Sequence, residues 1–256
     1  MTKQFEALLF DLGGTLIYFD GSWPEVMQAA NRELLTHLQE QGLRLDAENF
    51  LNEFQRRWEE YYAQRETEFV EYSSASILRA LLADSGYPEF SPQMIRSALK
   101  RWYTVTQVHW KAEEDALPTL ETLRKTGYHM GIISNAADDG DVQTLVDNAG
   151  LRPYFDIVLS SAACGIRKPN PRIFKIALEK WDLAPGQAAM VGDKLGADIL
   201  GARNAGLTSI WIKRRADTPA NRDHGDTIQP DTSIHTLAEL PDLLAKQREA
   251  QQVQPP

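Results

Sequence analysis

The chain has 256 residues, of which 43% are hydrophobic and 25% are charged, as in ordinary globular proteins. Its net charge of −9 argues against a nucleic-acid partner, because that class of binding needs a basic surface. The one cysteine, Cys164, excludes an internal disulfide and fits a cytoplasmic location. The sequence contains no run of roughly 18 apolar residues, the length that predicts a membrane helix. Residues 1–5 are mostly polar, and we do not expect them to begin a signal peptide.

The first predicted element is a strand over Ala7–Phe10, where four consecutive apolar residues suit a strand that is buried on both faces. Asp11 follows at the point where this strand ends. Gly13 and Gly14 then allow a sharp turn and a close approach of the backbone to a ligand. A carboxylate in this position can bind a metal, attack an electrophile or cap the turn, and ligands of open parallel sheets bind at this edge.

Residues 17–111 carry almost no strand pattern and predict a helical block. Aromatic residues recur at helical spacing, so we expect a small bundle that buries them. Some side chains of this block could contact a substrate, although we expect surface salt bridges for its arginines; the candidates are Trp23, Arg56, Arg57 and Arg65. The predicted helices span residues 23–41, 47–64, 73–85 and 92–107.

From residue 112 onward, strands and helices alternate, which indicates a parallel sheet with helices on both faces. A single buried parallel strand cannot stand alone, so Ala7–Phe10 must belong to the same sheet and the helical block must be an insertion. We expect an α/β core in residues 1–17 and 112–246, the insertion in residues 18–111 and a disordered tail in residues 247–256. The polar loop of residues 213–226 is interpreted as solvated surface. The predicted strands span residues 129–134, 157–160, 188–191, 209–212 and 232–234, and the predicted helices span residues 117–125, 142–149, 171–181, 198–205 and 237–246.

Polar side chains follow three further predicted strands. They are Ser134 with Asn135, then Lys168, and then Asp193 with Asp198. Because the carboxyl ends of parallel strands meet at one edge of a sheet, we expect all of them near Asp11. Three carboxylates, an ammonium group and a hydroxyl can hold a divalent cation and a phosphate together.

In this order, these residues resemble the four motifs of the haloacid dehalogenase-like hydrolase superfamily. The helical block resembles the cap of its helical-cap subfamily I, and the match runs from Ala7 to about Leu244. The resemblance implies an α/β fold, with a doubly wound, Rossmann-like parallel sheet and an inserted helical cap. It also implies a phosphatase-like hydrolase that uses Mg²⁺ and acts on a small phosphorylated metabolite.

The resemblance also assigns roles to individual residues. Asp11 would be the nucleophile and form an aspartyl-phosphate, while Lys168 would neutralise charge on Asp11 and on the transferring group. Asp11, Asp193 and the carbonyl oxygen of Gly13 would bind Mg²⁺. Asp198 would orient water or hold Lys168, unless it only caps the following helix. The remaining assignments are phosphate contacts from Ser134, Gly14 and the amide of Asn135, and a supporting role for Thr15.

One position departs from the family pattern. Gly13 stands where phosphatases of this family usually carry a second Asp, which protonates the leaving group and then activates water. Losing such help costs roughly 10²–10⁴-fold in rate. Three possibilities stay open: Tyr18 or Asp20 replaces the acid, the substrate has a leaving group that needs no proton, or the protein binds a phosphorylated ligand or a protein partner with little turnover.

Two other reactions of the family are disfavoured. Dehalogenation would use Asp11 on a carbon atom and would need no metal, which leaves the predicted metal carboxylates without a purpose. Phosphonate cleavage would need a cap lysine, and the insertion has few, chiefly Lys100 and Lys111. The five histidines share no spacing, and we expect no chemistry from them.

Overall fold

The computed structural model describes residues 5–252, with the side chains of residues 5–65 and 69–246. Its strands are β1 (Ala7–Phe10), β2 (Ile17–Phe19), β3 (Trp110–Ala112), β4 (His129–Ser134), β5 (Ile157–Ser160), β6 (Ala188–Gly192), β7 (Thr208–Ile212) and β8 (Thr232–Ile234). Six of them form a parallel sheet in the order β5-β4-β1-β6-β7-β8, and β2 and β3 form an antiparallel ribbon.

The α-helices fall into two groups along the chain. Four of them precede β3: α1 (Trp23–Glu40), α2 (Ala47–Glu68), α3 (Ser74–Asp84) and α4 (Pro92–Gln107). The others flank the sheet: α5 (Ala116–Lys125), α6 (Asp139–Asn148), α7 (Ser161–Cys164), α8 (Pro171–Glu179), α9 (Leu200–Ala205), α10 (Pro219–Arg222) and α11 (Leu240–Gln252). A π-helical segment, Leu195–Ile199, leads into α9, and short 3₁₀ turns span Arg152–Tyr154, Pro185–Gln187 and Leu237–Glu239.

β1 lies in the middle of the sheet, and all four of its residues are buried. Ala7 pairs with His129 of β4 on one side and with Ala188 of β6 on the other. Alternate side chains point to opposite faces, as strand geometry requires. Leu8 packs into an apolar cluster that includes residues of α5, α6 and α11, whereas Leu9 packs into a cluster that includes residues of α8 and α9. The predicted doubly wound α/β sheet is therefore confirmed.

The helices α1–α4 and the loops that join them, which we call the helical insert, enclose an apolar core of their own. Aromatic rings fill much of it: Trp58 and Trp102 stack with their centroids 5.4 Å apart, and Phe54 packs edge-on against both. The expected burial of aromatic residues within this block is thus seen. The division into core residues 1–17 and 112–246 and cap residues 18–111 stays a prediction.

Two expectations about local structure differ from the fold. The near absence of strands in residues 17–111 is wrong at both ends, because Ile17 of β2 pairs with Ala112 and Phe19 pairs with Trp110 of β3. The last helix continues to Gln252, so part of the tail expected to be disordered is helical. The rest of that tail, residues 253–256, lies outside the described residues. Among the described residues, no helix is both long and apolar enough to cross a membrane.

Candidate active site

The turn after β1 places Asp11 at the edge of the sheet. The Asp11 N–H donates to the carbonyl of Val191 in β6 at 2.9 Å, which fixes the backbone just beyond the strand. Gly14 has a φ of +87°, and a Cβ there would lie 2.6 Å from Asp193 Oδ2, so only glycine fits. Its N–H donates to the carbonyl of Ile17 at 2.7 Å. The turn therefore uses the Gly14 amide, and the predicted phosphate contact of Gly14 stays a prediction.

Lys168 is buried between two carboxylates. Its ammonium group donates to Asp11 Oδ1 at 2.7 Å and to the carbonyl of Ile133 at 2.6 Å, and it lies 2.7 Å from Asp198 Oδ1. Burial disfavours the charged amine, but attraction from Asp11 and Asp198 outweighs that effect and raises the pKa of Lys168. The ammonium group is therefore charged at neutral pH, and Asp198 makes the contact with Lys168 that one of its two predicted roles requires.

Asn135 connects the end of β4 to the segment that carries Lys168. Its Oδ1 accepts from the Lys168 N–H, and its Nδ2 donates to the Lys168 carbonyl, both at 2.9 Å. Ser134 and Asn135 line the same cleft as Asp11. Thr15 is fully buried nearby in the β1–β2 turn, and its hydroxyl has no hydrogen-bond partner among the described residues. The sheet thus gathers the predicted motifs at one edge.

The carboxylates of Asp11, Asp193 and Asp198 form a tight acidic cluster. Each offers one oxygen, and these oxygens lie within 4.8 Å of one another. Asp193 is 1% exposed, and its Oδ1 has no hydrogen-bond partner among the residues described. Burial, reinforced by repulsion from Asp11 and Asp198, raises the pKa of Asp193 to about 7. Burial likewise raises the pKa of Asp198 to about 6, although Lys168 opposes the shift. An orphaned buried carboxylate oxygen beside two others fits a hard divalent cation.

Trp110 of β3 covers Gly13. A Cβ added to Gly13 would lie 3.3 Å from Cη2 and 3.4 Å from Cζ3 of the Trp110 ring. The ring itself packs edge-on against Phe19, with centroids 5.4 Å apart. The space that a second carboxylate would need is therefore partly filled by an aromatic ring, which the sequence did not indicate.

The candidate replacements for the missing acid lie elsewhere. Tyr18 stacks its ring against the guanidinium group of Arg215, with Cζ 3.9 Å from the ring centroid. The carbonyl oxygen of Asp20 lies 2.9 Å from Nδ1 of His109. The backbone N–H of Asp20 donates to the carbonyl of His109. Neither Tyr18 nor Asp20 is among the described residues that line the cleft. Both side chains therefore lie outside the lining of the cleft, and a role for either of them as the acid stays a prediction.

The cleft has a volume of about 590 Å³, a size that suits a small metabolite. On the sheet side it is lined by Asp11, Ser134, Asn135, Lys168 and Asp198. The helical insert adds Arg65 and Phe69, and β3 adds Trp110. Of the other residues proposed for substrate contact, Arg56 and Arg57 pair with Glu53, Glu60 and Asp84. Trp23 is 43% exposed and packs on Phe19 and Trp110.

Most of the loop of residues 213–226 is exposed, as its interpretation as solvated surface predicts, but Ala216 and Asn221 are buried and turn toward the site. Asn221 is buried, and its Nδ2 donates to the carbonyls of Asp193 at 2.7 Å and Ala216 at 2.8 Å. Its Oδ1 accepts from the Leu195 N–H at 2.8 Å. These bonds fold the loop back over the end of β6. Asn221 and His224 consequently line the cleft, although no chemistry was expected from the histidines.

Asp141, in the first turn of α6, is a cleft residue that the sequence analysis missed. Its Oδ1 accepts from Gln107 Nε2 of α4 at 2.8 Å. Burial, reinforced by the nearby charge of Asp138, raises the pKa of Asp141 to about 7. Its position seven residues after Ser134 carries no motif, and only the packing of α6 against the insert brings it to the cleft.

Comparisons with known proteins agree with this architecture. The family model of the haloacid dehalogenase-like hydrolases matches residues 5–206. The chain is 32% identical over 245 residues to a ribulose-1,5-bisphosphate 5-phosphatase of Halopiger xanaduensis, covering 93% of this chain and 99% of that protein. It is 26% identical over 242 residues to a glyceraldehyde 3-phosphate phosphatase of Pyrococcus furiosus, covering 94% and 92% respectively.

Solved structures of two proteins are also similar to this chain over most of its length. A 2-haloacid dehalogenase from Pseudomonas syringae superposes with a TM-score of 0.68 at 26% identity, covering 95% of this chain and 99% of that one. A phosphatase from Thermococcus onnurineus superposes with a TM-score of 0.60 at 27% identity, covering 94% and 98%. Together with the family match over residues 5–206, these likenesses establish that the chain belongs to the haloacid dehalogenase-like hydrolases.

Proposed function

We propose that this hydrolase is a phosphatase that removes a phosphoryl group from a small phosphorylated metabolite through an acyl phosphate on Asp11. The observation that carries the proposal is the contact of the buried Lys168 ammonium with Asp11 and Asp198 at 2.7 Å, beside the orphaned carboxylate oxygen of Asp193. A fixed cation next to a carboxylate allows that carboxylate to approach an anionic phosphate. The curated relatives support the reaction class, since those named above are phosphatases.

Asp11, Asp193 and the carbonyl oxygen of Gly13 would hold Mg²⁺ in this proposal. Mg²⁺ prefers oxygen ligands and takes few of them from protein, and Asp11 and Asp193 of the acidic cluster can supply two of them. When bound, the ion neutralises charge on the phosphate. The site's own residues would do the rest: Lys168 balances the charge on Asp11, and Ser134 with the amide of Asn135 holds the phosphate oxygens.

The chemistry would proceed in two displacements. A carboxylate oxygen of Asp11 attacks phosphorus, and the bond to the leaving oxygen breaks, so that an aspartyl-phosphate forms. Water then attacks phosphorus and restores the carboxylate. Because Gly13 offers no acid, the leaving oxygen must depart as an anion or take its proton from water. The proposal therefore favours substrates with good leaving groups, such as aryl or acyl phosphates.

A comparison of leaving groups tests the proposal. We expect an aryl phosphate to be cleaved with Mg²⁺ about 10² or more times faster than an alkyl phosphate of similar size. Asp11→Asn, which keeps the shape of the side chain but not its nucleophilicity, should abolish turnover of both. A screen of phosphorylated metabolites beside the same variant would then identify the substrate class. Equal rates on both phosphates would instead reveal that another group in the cleft acts as the acid.

Two observations favour a second candidate, a 2-haloacid dehalogenase: the structural likeness to such an enzyme and the absence of a carboxylate at Gly13. Asp11 would then displace halide from carbon without a metal. Halide release from a 2-haloacid in the presence of a chelator would support this reading over the phosphatase. A third reading, ligand binding with little turnover, predicts thermal stabilisation by phosphate and Mg²⁺ in a protein that cleaves neither phosphate.

A further inference from the structure

The segment between α2 and α3 is fastened to the loop that carries Lys168. Val70 and Ile166 form an antiparallel bridge. The Glu71 N–H donates to the carbonyl of Gly165 at 3.3 Å, and the Arg167 N–H donates to the carbonyl of Phe69 at 3.2 Å. A short stretch of the helical insert therefore runs beside the core segment that ends at Lys168.

Glu71 anchors this junction with a buried charge. Its side chain is 0% exposed, and its carboxylate pairs with the Arg167 guanidinium and accepts from the hydroxyls of Tyr61 and Ser161. Arg167 Nη1 also donates to the Tyr61 hydroxyl at 3.2 Å. Removing one partner of a buried ion pair leaves the other partner as an uncompensated buried charge, which is costly. These groups therefore hold one another in place.

The contacts of Glu71 reach both loops that face the phosphate site. On one side Glu71 binds Ser161, whose Oγ accepts from the Ala136 N–H at 2.9 Å, next to Asn135. On the other side it binds Arg167, the neighbour of Lys168. The two hydrogen bonds between the Asn135 side chain and the Lys168 backbone join the two loops. The result is a closed ring of polar contacts in which the helical insert supplies one carboxylate and the core supplies both loops.

We propose that Glu71 is a positioning residue, which holds residues 134–136 and residues 165–168 in register for phosphoryl transfer. The inference rests on the proposed function for its kinetic readout. Glu71 acts through Arg167 and Ser161 rather than on the substrate. Without it, Lys168 keeps its bonds to Asp11 and Asn135, so its ammonium group shifts rather than leaves. Small misplacements of such groups cost large factors in rate.

Glu71→Gln is the variant of choice, because it removes the charge but keeps the size and a hydrogen-bonding oxygen. The matched control is Glu113→Gln. Glu113 is also a buried carboxylate, 4% exposed at its side chain, and it pairs with Arg214 and Arg215 away from the two loops. Both variants lose a buried ion pair, so both should lower the melting temperature. Only the Glu71 variant should disturb residues 134–136 and 165–168.

Two readouts separate positioning from stability alone. In Glu71→Gln we expect amide hydrogen exchange in residues 134–138 and 165–170 to be about tenfold faster, with the rest of the sheet unchanged. For an aryl phosphate with Mg²⁺ we expect kcat to fall about tenfold or more, with KM changing less. Combining Glu71→Gln with Arg167→Gln should cost no more in kcat than the larger single loss, because both act through one chain of contacts.

The hydrogen-exchange measurement does not depend on the reaction, so the inference and the proposed function can fail separately. Unchanged exchange in both loops of folded Glu71→Gln would overturn the inference, even if the wild-type chain is an active phosphatase. So would a kcat equal to that of Glu113→Gln. Faster exchange in a chain whose wild type cleaves no phosphate would keep the loop-holding role and remove the phosphatase assignment.

Discussion

Substituting Gly13 with Asp restores the carboxyl group that phosphatases of this family usually carry two residues after the nucleophile. The structure sets the cost of doing so. The new Cβ would lie 3.3 Å from Trp110 Cη2, a few tenths of an ångström inside the ~3.5–4.0 Å of ordinary carbon contacts. Overpacking typically costs about 1–3 kcal/mol. We expect the lower end, because Trp110 packs beside the exposed ring of Trp23 and can shift.

The expected gain in rate depends on the leaving group. A well-placed acid contributes roughly 10²–10⁴-fold, and a carboxyl group crowded by Trp110 should recover part of that, about 10–10³-fold, on alkyl phosphates. Aryl phosphates need no proton on the leaving oxygen and should gain little. Losing about 1 kcal/mol should lower the melting temperature by roughly 2–4 °C in a chain of this size.

The assay compares kcat for glycerol phosphate and p-nitrophenyl phosphate in wild type, Gly13→Asp and Gly13→Asn. Gly13→Asn imposes the same crowding but offers no acidic proton, so it should lose stability without gaining rate. Gly13→Asp combined with Trp110→Phe should gain further, because the smaller ring gives the carboxyl group room. Equal activity of the Asp and Asn variants on glycerol phosphate would refute the reasoning, since the missing acid would then not limit turnover.

Three other predictions follow from the buried charges. Lys168→Met should lower kcat by about 10²-fold or more and, because it strands two carboxylates, should lower the free energy of unfolding by about 3–5 kcal/mol in denaturant titrations; wild-type stability would contradict the role of its ion pairs. The pKa of Asp193 is raised to about 7 without metal, so Mg²⁺ must displace a proton below that pH. Thermal stabilisation by Mg²⁺ should therefore be larger at about pH 8 than at about pH 6, and equal shifts would remove Asp193 from the metal site. For Asp141, whose pKa is raised from its ordinary 3.8 to about 7, the native state keeps a proton that the unfolded chain has lost. Stability should thus fall as pH rises from about 4 to about 7, by at most about 4 kcal/mol. Asp193 and Asp198 contribute in the same direction, so Asp141→Asn should make that slope shallower, and not flat, in denaturation curves recorded at several pH values; an unchanged slope would assign it to the other groups.

The sequence alone determined the elements whose causes are local. Four apolar residues followed by Asp11 and two glycines predicted a buried strand ending in a carboxylate, and β1 is that strand. Helical spacing predicted α1–α4 to within a few residues at each end. The rule that parallel strands share a carboxyl edge was enough to bring Asp11, Lys168 and Asp198 together. A one-dimensional pattern suffices here because each of these residues lies at the carboxyl end of its strand or in the segment that follows that end.

Only the tertiary structure decided the features that join distant segments. β2 and β3 are three residues each, and they pair with one another as strands across the whole helical insert. Asn221, Asp141 and Glu71 carry no motif, and each reaches the site through a partner far away in sequence: Asp193, Gln107 and Arg167 respectively. Burial makes those polar partners obligatory, because an unpaired buried charge or amide is costly. Which partner forms the hydrogen bond or ion pair with each buried group depends on how distant segments pack together. The sequence around each residue does not show that packing.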